Sequence, residues 1–364
     1  MKTLRTAVIG VGHLGLVHAR LLAAVEGVDL AGVVDVSPEA RRTAAAQFGC
    51  AAFADHRELP GRFDAAIVAV PSCLHHRVAL DLLPHGIHLL MEKPIAVSVA
   101  QADEMIAAAR RGAAVLQVGH VERFNPALTA IEPLVSRPRR IDAERCFSHS
   151  FRSTDIGAVL DLMIHDIELA QSLVREEVVD VQASGAVVLG PQEDLAEARI
   201  TFAGGCVANL RASRVSPVAR RTMSVYCDEL HALLDFAVPS ATIVRTAPDG
   251  VPAAIDLESV APQDRSELKQ RLFSELLPLE DLAVEPNNAI LEEQQDFVTS
   301  ILSSTPPRVG GLQARDALAV AEQVLSAIGL QRQTRRVAAA TAPVETLSLP
   351  TAPLSDVAPR RKAG

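Results

Sequence analysis

Tryptophan is absent from this sequence, tyrosine occurs once and cysteine five times, and the scarcity of the last two excludes two classes of dehydrogenase. A short-chain dehydrogenase needs a tyrosine four residues before a lysine, but Leu230 occupies that position after Tyr226. No two cysteines form a CxxC pair, so the usual zinc and redox spacings are missing and no metal site is expected. A zinc alcohol dehydrogenase, which needs cysteine ligands, is excluded as well.

Long apolar runs and an excess of positive charge are also missing. No stretch is long enough for a signal peptide or a membrane span, and the chain begins with a short apolar strand. The formal net charge of −9 disfavours nucleic acid, because phosphate backbones select basic surfaces. Scattered cysteines are typical of a reducing compartment. Together these features predict a cytoplasmic protein without a membrane or nucleic-acid partner.

The first third of the chain alternates short apolar runs with helical patterns. The whole chain has 364 residues, of which 49% are hydrophobic, and this is enough for two domains. The alternation is typical of a doubly wound parallel α/β sheet, which we place in residues 1–120. The predicted strands are Thr6–Ile9, Leu30–Val34, Ala65–Val70, Ile87–Met91 and Ala114–Val118.

This alternation of strands and helices stops in residues 121–334, where predicted strands follow one another closely. A helix at Val159–Val174 precedes them, and helices at Ala289–Leu302 and Ala314–Leu330 close the domain. Residues 246–286 are mixed. From residue 335 to 364 an Ala/Pro/Thr-rich composition indicates a flexible tail. The predicted strands are Val179–Leu189, Ala198–Phe202, Cys206–Ser213, Thr222–Tyr226 and Ala232–Phe236.

A GxGxxG motif stands between the first strand and the first helix. Gly10 permits a tight turn, Gly12 allows a pyrophosphate to approach the backbone, and Gly15 allows the helix to pack on the strand. Asp35, twenty residues after Gly15, ends the second strand and can accept hydrogen bonds from a ribose diol. The pattern predicts a dinucleotide site, although incidental glycines in an ordinary strand–turn–helix would give the same letters.

The type of dinucleotide depends on charge near the ribose. A carboxylate at Asp35 repels a 2′-phosphate, so the sequence favours NAD over NADP. Arg41 and Arg42 follow closely and could accommodate NADP, or they could simply form a solvated helix face.

Two further segments follow strands of the predicted parallel sheet, at the edge where such folds bind ligands. One is Val70–His75 and the other is Met91–Pro94. In the second, Lys93 stands between an acid and a proline, in a position to meet a substrate hydroxyl. A plain surface charge is the alternative for Lys93.

These motifs together resemble the Gfo/Idh/MocA family of oxidoreductases over roughly residues 5–330. The resemblance implies a Rossmann domain followed by an α/β domain with an open, largely antiparallel mixed sheet, whose face commonly forms an interface in homo-oligomers such as dimers or tetramers. The matching segments are GVGHLGLVH (10–18), VVD (33–35), PSCLH (71–75), EKP (92–94) and LDLMIHD (160–166). The residues expected to bind the cofactor are Gly10, Gly12, His13, Leu14, Gly15, Asp35, Pro71, Ser72, His75, Glu92 and Lys93.

By this resemblance Lys93, Asp161 and His165 match the family's catalytic residues. Asp161 and His165 are four residues apart, so on an α-helix they share one face, where the carboxylate could orient the imidazole. Histidine titrates near neutral pH, which suits a general base. A helix-capping acid and a core histidine are the alternative. Met163 and Glu168 depart from the family's usual glycine and aspartate, which puts the shape of the substrate pocket in doubt.

The segment Gly119–Ala127 enters the second domain and contains Arg123 and Asn125. It resembles the branch of the family that oxidises UDP-N-acetylglucosamine at the sugar C3 hydroxyl. The two side chains could bind substrate or could order the crossover between domains.

We therefore expect NAD(P)-dependent hydride transfer between the nicotinamide and a sugar hydroxyl carbon, with a nucleotide sugar such as UDP-N-acetylglucosamine as substrate and C3 as the oxidised carbon. An inositol or other polyol dehydrogenase is one alternative, and a non-catalytic NAD-sensing regulator on the same fold is another. Whether Lys93 or His165 is the final base stays open at this point.

Overall fold

A computed structural model describes residues 3–150, 155–245 and 260–341, which form two β-sheets with helices against them. The first sheet has six strands in the order β3-β2-β1-β4-β5-β6, all parallel. The sheet strands are β1 (Leu4–Ile9), β2 (Val28–Val34), β3 (Ala51–Phe53), β4 (Ala65–Val68), β5 (His88–Glu92) and β6 (Leu116–Gly119). Its α-helices are α1 (His13–Leu22), α2 (Pro38–Phe48), α3 (His75–Leu82) and α4 (Val99–Arg111), with 3₁₀ turns at His56–Glu58, Ser72–Leu74 and Leu83–His85.

The strand order reverses between β1 and β4, and this switch point creates a crevice at the carboxyl ends of the strands. Every residue of β4 is buried, as expected for a central strand covered by helices on both faces. The parallel Rossmann sheet that the sequence predicts is confirmed. The short strand β3 escaped the sequence analysis because three residues give no periodicity to recognise.

The second sheet has eight strands in the order β14-β13-β12-β11-β7-β10-β9-β8. Only β7 and β10 pair in parallel, and the other neighbours are antiparallel. Its strands are β7 (Arg140–Cys146), β8 (Val178–Ala186), β9 (Leu195–Phe202), β10 (Val207–Ser213), β11 (Arg220–Tyr226), β12 (Leu230–Asp235), β13 (Ser240–Arg245) and β14 (Leu279–Asp281). The associated helices are a 3₁₀ turn at Val121–Phe124, α5 (Pro126–Ile131), a π turn at Val159–Met163, α6 (Ile164–Val174), α7 (Arg265–Arg271), a π turn at Leu272–Leu276, α8 (Ala289–Ser303) and α9 (Gly311–Thr341).

One face of the second sheet is apolar and packs against helices α6 and α9. In β7, for example, Ile141 and Ala143 are buried on this side, whereas Asp142 and Glu144 point to the other face. The alternation confirms the expected open, largely antiparallel mixed sheet. The central strand β7 was not among the predicted strands, because its charged residues mask its apolar alternation.

The chain returns to the first sheet near its end. Helix α8 buries Phe297 and Val298 in the same apolar cluster as residues of β1 and α1. The proposed division into residues 1–120 and 121–334 therefore does not separate the cores completely. Helix α9 continues to Thr341, beyond residue 335 where the sequence predicted a tail, and residues 342–364 lie outside the described part of the chain. A search of the described helices finds none whose length and apolar character suit a membrane span.

Candidate active site

The turn between β1 and α1 is built from three glycines with different tasks. Gly10 has a φ of +85°, and a Cβ there would lie 2.6 Å from the Ala69 carbonyl oxygen. A Cβ at Gly15 would lie 1.8 Å from the Gly10 carbonyl oxygen. At Gly12, by contrast, a Cβ would meet no atom within 4 Å. The chain's own packing thus requires glycine at positions 10 and 15, and the open space at Gly12 fits a ligand that approaches the backbone.

Helix α1 begins beside this space with an uncapped amino terminus. Its N-cap is Gly12, which has no side chain to accept from the first N–H groups, and the first turn holds no acidic residue. His13 and Leu14 are exposed there. Free N–H groups and the helix dipole favour an anion at this point, so these residues fit the pyrophosphate of a dinucleotide.

Asp35 follows β2 at the same edge of the sheet. Its two carboxylate oxygens accept hydrogen bonds from the backbone N–H groups of Val11, at 2.9 Å, and Ser37, at 2.8 Å. The side chain is held in place while it remains half-buried beside a cavity of about 470 Å³. Arg41 donates to the carbonyl oxygens of Asp35 and Val36, both at 3.2 Å, and so is already committed to the backbone. The arrangement fits a ribose diol next to Asp35.

The same cavity has lining residues that the sequence analysis missed. Pro71, which was predicted, lines it, and so do Asp55, His56 and Arg57. These three follow the short strand β3, so recognition of that strand would have placed them at the ligand-binding edge.

Two predicted cofactor residues in the Pro71–His75 segment are buried. Ser72 begins a 3₁₀ turn and is 8% exposed, and His75 is 1% exposed. The ring nitrogens of His75 lie 2.9 Å from the Pro94 carbonyl oxygen and 3.0 Å from that of Val70. Burial lowers the pKa of His75 even though both carbonyls favour the protonated ring. His75 therefore connects two ligand-binding loops and holds their shape.

Glu92 has a similar supporting position beneath Lys93. Its Oε1 accepts a hydrogen bond of 2.7 Å from His18 Nε2, and its Oε2 accepts from the Lys93 backbone N–H at 3.2 Å. Gln294, on α8, donates to the other ring nitrogen of His18 at 2.9 Å. Burial acts to raise the pKa of Glu92, but the hydrogen bond with His18 and the neighbouring charges together outweigh it and lower the pKa. Glu92 thus fixes the loop that carries Lys93.

Lys93 forms a contact between the two domains. Its Nζ donates to the Asp161 side chain at 2.9 Å and to the Asp161 carbonyl oxygen at 2.6 Å. The two side chains keep 18% and 19% of their surface exposed, so the pair can still be reached from the cleft. The structure brings Lys93 and Asp161 together as the resemblance implied, and it orients the ammonium group with two oxygen acceptors.

The helical segment that carries Asp161 is anchored by a neighbouring acid. Glu193 accepts a hydrogen bond from the Val159 N–H at 3.0 Å, at the amino terminus where a carboxylate is favourable. A Cβ at Gly157 would lie 2.0 Å from the Glu193 Oε1, so glycine is needed for this cap. The first turn is a π turn rather than an α turn, and such turns occur frequently at functional sites.

The π turn changes the expected relation between Asp161 and His165. Among the described residues, Asp161 forms no hydrogen bond with His165, and the His165 Nδ1 has no partner. The expectation that Asp161 orients the imidazole is corrected here, because its carboxylate binds Lys93 instead. His165 is 9% exposed, and burial together with the charge of Lys93 lowers its pKa well below 6.5.

His120, which the sequence analysis did not single out, packs against His165. The two rings meet edge to face with centroids 5.9 Å apart. His120 follows β6 and is 1% exposed, and within the described part of the chain both of its ring nitrogens lack partners. Burial, with the charges of Lys93 and Arg123, lowers its pKa to about 3. Both imidazoles are therefore neutral near pH 7.

Arg123 and Asn125 are engaged within the protein. Arg123 donates to Glu168 at 2.8 Å, and Asn125 donates to Glu122 at 3.0 Å while accepting from the Ala127 N–H at 3.1 Å. These contacts favour the second alternative of the sequence analysis, in which both residues order the crossover. Burial raises the pKa of Glu168 to about 7 although Arg123 opposes the shift.

No group of three or more His, Cys, Asp and Glu side chains is placed to hold a metal in residues 3–150, 155–245 and 260–341. Lys93 brings an ammonium group to this site, Asp161 a carboxylate, and His120 and His165 two neutral imidazoles.

Two family models match the chain. Residues 4–120 match "Oxidoreductase family, NAD-binding Rossmann fold", and residues 99–232 match "GFO/IDH/MocA C-terminal domain". The first match covers the sheet with the glycine turn, and the second includes Asp161 and His165.

Similar proteins extend these matches over nearly the whole chain. UDP-N-acetylglucosamine 3-dehydrogenase of Acidithiobacillus ferrooxidans is 35% identical over 329 residues, which are 90% of this chain and 98% of that protein. A solved structure of the same enzyme superposes with a TM-score of 0.79 and 32% identity, covering 91% of this chain and 99% of the other. Myo-inositol 2-dehydrogenase of Thermotoga maritima is 24% identical over 86% of this chain and 93% of its own.

The open space at Gly12 leads to a prediction. The substitution Gly12→Val should leave the fold intact, since a Cβ there meets nothing, but it should place a branched side chain where the pyrophosphate must lie. We expect cofactor affinity to fall by at least about tenfold, a loss of ~1.4 kcal/mol, in calorimetric titration. The matched variant Gly15→Ala should instead lower the melting temperature, because its Cβ overlaps the backbone. Normal cofactor binding by Gly12→Val would show that the turn is not a phosphate site.

Proposed function

The chain belongs to the Gfo/Idh/MocA family of NAD-binding oxidoreductases, and on this basis we propose that it oxidises a nucleotide sugar, with UDP-N-acetylglucosamine as the first candidate and its C3 hydroxyl as the reacting group. The observation that carries the proposal is the contact of Lys93 with Asp161 beside His165, at the cleft between the two domains. The similarity to an enzyme named for that substrate supports the choice. A polyol such as inositol is the second candidate, favoured by the similarity to an inositol dehydrogenase.

The residues around the glycine turn suit the cofactor. Gly12 and the amino terminus of α1 would hold the pyrophosphate, and Asp35 the adenosine ribose. The nicotinamide, when bound, supplies the hydride acceptor for the oxidation. The remaining task of the protein is to manage the proton of the substrate hydroxyl and the charge on its oxygen.

We assign His165 as the proton acceptor. Its pKa lies well below 6.5, so near pH 7 the ring is already neutral and can take a proton without first losing one. Lys93, held by Asp161, brings a positive charge to the oxygen as negative charge develops on it. Lys93 itself is the alternative base. The expected result with His165 as base is that the acid limb of kcat/KM lies below pH 6.5, because the required neutral form is lost only as pH falls through the lowered pKa.

A non-catalytic NAD sensor would not need this arrangement. A sensor requires a nucleotide site, yet here an ammonium group from the first domain also meets a carboxylate and an imidazole from the second. We further propose a cytoplasmic location, which the five free cysteines support.

The first prediction concerns the chemistry. Lys93→Ala and His165→Ala should each lower kcat by about 10²-fold or more, the usual scale for a lost acid–base group. The measurement is NAD reduction with a panel of UDP-sugars and polyols. The matched controls are Lys269→Ala, an exposed lysine on α7, and His76→Ala, which forms a surface ion pair with Glu104. Near-normal turnover by both active-site variants would contradict the assignment and favour the sensor.

The second prediction concerns the cofactor. NAD should bind more tightly than NADP, because the Asp35 carboxylate repels a 2′-phosphate and Arg41 already binds backbone carbonyls. Calorimetric titration with both dinucleotides tests this, and Asp35→Ser should narrow the difference. If NADP bound the parent protein more tightly, the role given to Asp35 would be wrong.

The third prediction concerns assembly. We propose that the chain forms a homo-oligomer through the uncovered face of the second sheet, where Asp142, Glu144, Arg199 and Arg211 line a shallow groove. Sedimentation velocity should detect a dimer or tetramer. Charge reversal at Arg211, which lies near Glu144 and Glu197, should weaken the association of the subunits. A parent protein that stays monomeric at micromolar concentration would rule this out.

A further inference from the structure

Several arginines lie in the middle of the second sheet, at the end where strands β7 and β10 finish and strand β11 begins. Arg145 binds Glu122 and Asp166, Arg214 binds Asp194, and Arg220 binds Glu144. Their neighbour Arg221 differs, because no carboxylate within the described ranges forms an ion pair with it. An unpaired arginine is notable in a chain of net charge −9, where acids outnumber bases.

The register of the sheet places Arg221 on the side of the active-site helix. In the antiparallel pair of β11 and β7, Arg221 stands opposite Arg145. Residues opposite each other share a face, and Met223, two residues after Arg221 on the same face, is buried on the helix-packed side. Arg221 itself is exposed, at the start of the strand, with its guanidinium 5.8 Å from the centre of the Phe147 ring.

The charge of Arg221 reaches the catalytic centre. It contributes to lowering the pKa of His165 and opposes the rise that burial causes in the pKa of Asp166. Geometry agrees, because Arg145, which stands opposite Arg221, binds Asp166, the residue that follows the proposed base. The Phe147 ring orients the guanidinium plane without neutralising it.

We propose that Arg221 binds the diphosphate of the nucleotide-sugar substrate. The inference rests on the proposed function and sharpens it, since a neutral polyol has no group that needs this cation. The guanidinium fork matches two phosphate oxygens at once, and such charge-assisted pairs are among the strong hydrogen bonds of proteins. In a UDP-sugar the diphosphate is attached one sugar ring away from the reacting hydroxyl, which corresponds to an arginine beside His165 rather than in contact with it.

A carboxylate of a sugar acid is a second source of the same negative charge. We favour the diphosphate because Arg221 is exposed at this end of the sheet, where a substrate longer than one sugar ring would extend. Glucuronate, which carries a carboxylate and no phosphate, separates the two sources.

The test measures binding of UDP to the full-length protein saturated with NAD, so that UDP cannot occupy the cofactor site. Calorimetric titration of Arg221→Gln should show a loss of UDP affinity of about tenfold or more. Arg221→Lys, which keeps the charge without the fork, should lie between the parent and Arg221→Gln. For turnover of UDP-N-acetylglucosamine we expect a raised KM with kcat little changed, because the interaction is the same in the ground and transition states.

The matched control is Arg220→Gln, which removes the same charge from the adjacent residue on the opposite face. Its UDP affinity should equal that of the parent. Equal affinity in Arg221→Gln and Arg220→Gln would overturn the inference, and so would binding of glucuronate, but not UDP, that depends on Arg221. If UDP binding depends on Arg221 but the parent does not oxidise UDP-N-acetylglucosamine, the inference stands and the proposed substrate is wrong.

Discussion

The contact between Lys93 and Asp161 is the interaction on which the active site depends, because it joins a loop of the first domain to a helix of the second. Each partner is held from behind. Glu92 binds the Lys93 backbone and is itself fixed by His18. On the other side Glu193 caps the helical turn that carries Asp161. The position of the ammonium group is therefore set by contacts that continue into both cores, which is how a site can hold its geometry.

The charges around His165 follow from the same arrangement. Most of the nearby acidic side chains form ion pairs with arginines, since Asp166 pairs with Arg145 and Glu168 with Arg123. What remains near the imidazole is positive charge, and together with burial this keeps the ring neutral. A protein with a net charge of −9 thus keeps positive charge close to His165.

The fold and the chemistry could be predicted from motifs, but the partners of most site residues could not. The glycine turn and Asp35 lie where the sequence predicts them, because the spacing of these residues along the backbone determines their positions. The pairing of Asp161 with His165 was wrong because a π turn, which leaves no mark in the residue pattern, replaces the first α turn. The sequence left open whether Arg123 binds substrate or orders the crossover, because it does not reveal the buried Glu168 that pairs with Arg123.

The division into domains also differs between the sequence and the packing. Helix α8 follows the second sheet in the chain, yet Gln294 on it binds His18 and Phe297 packs into the core of the first sheet. Support for Glu92, and through it for Lys93, therefore comes partly from residues near the end of the chain. Because Lys93 and this helix are coupled through Glu92 and His18, the position of the lysine depends on packing within the first core as well as on its contact with Asp161 in the second domain.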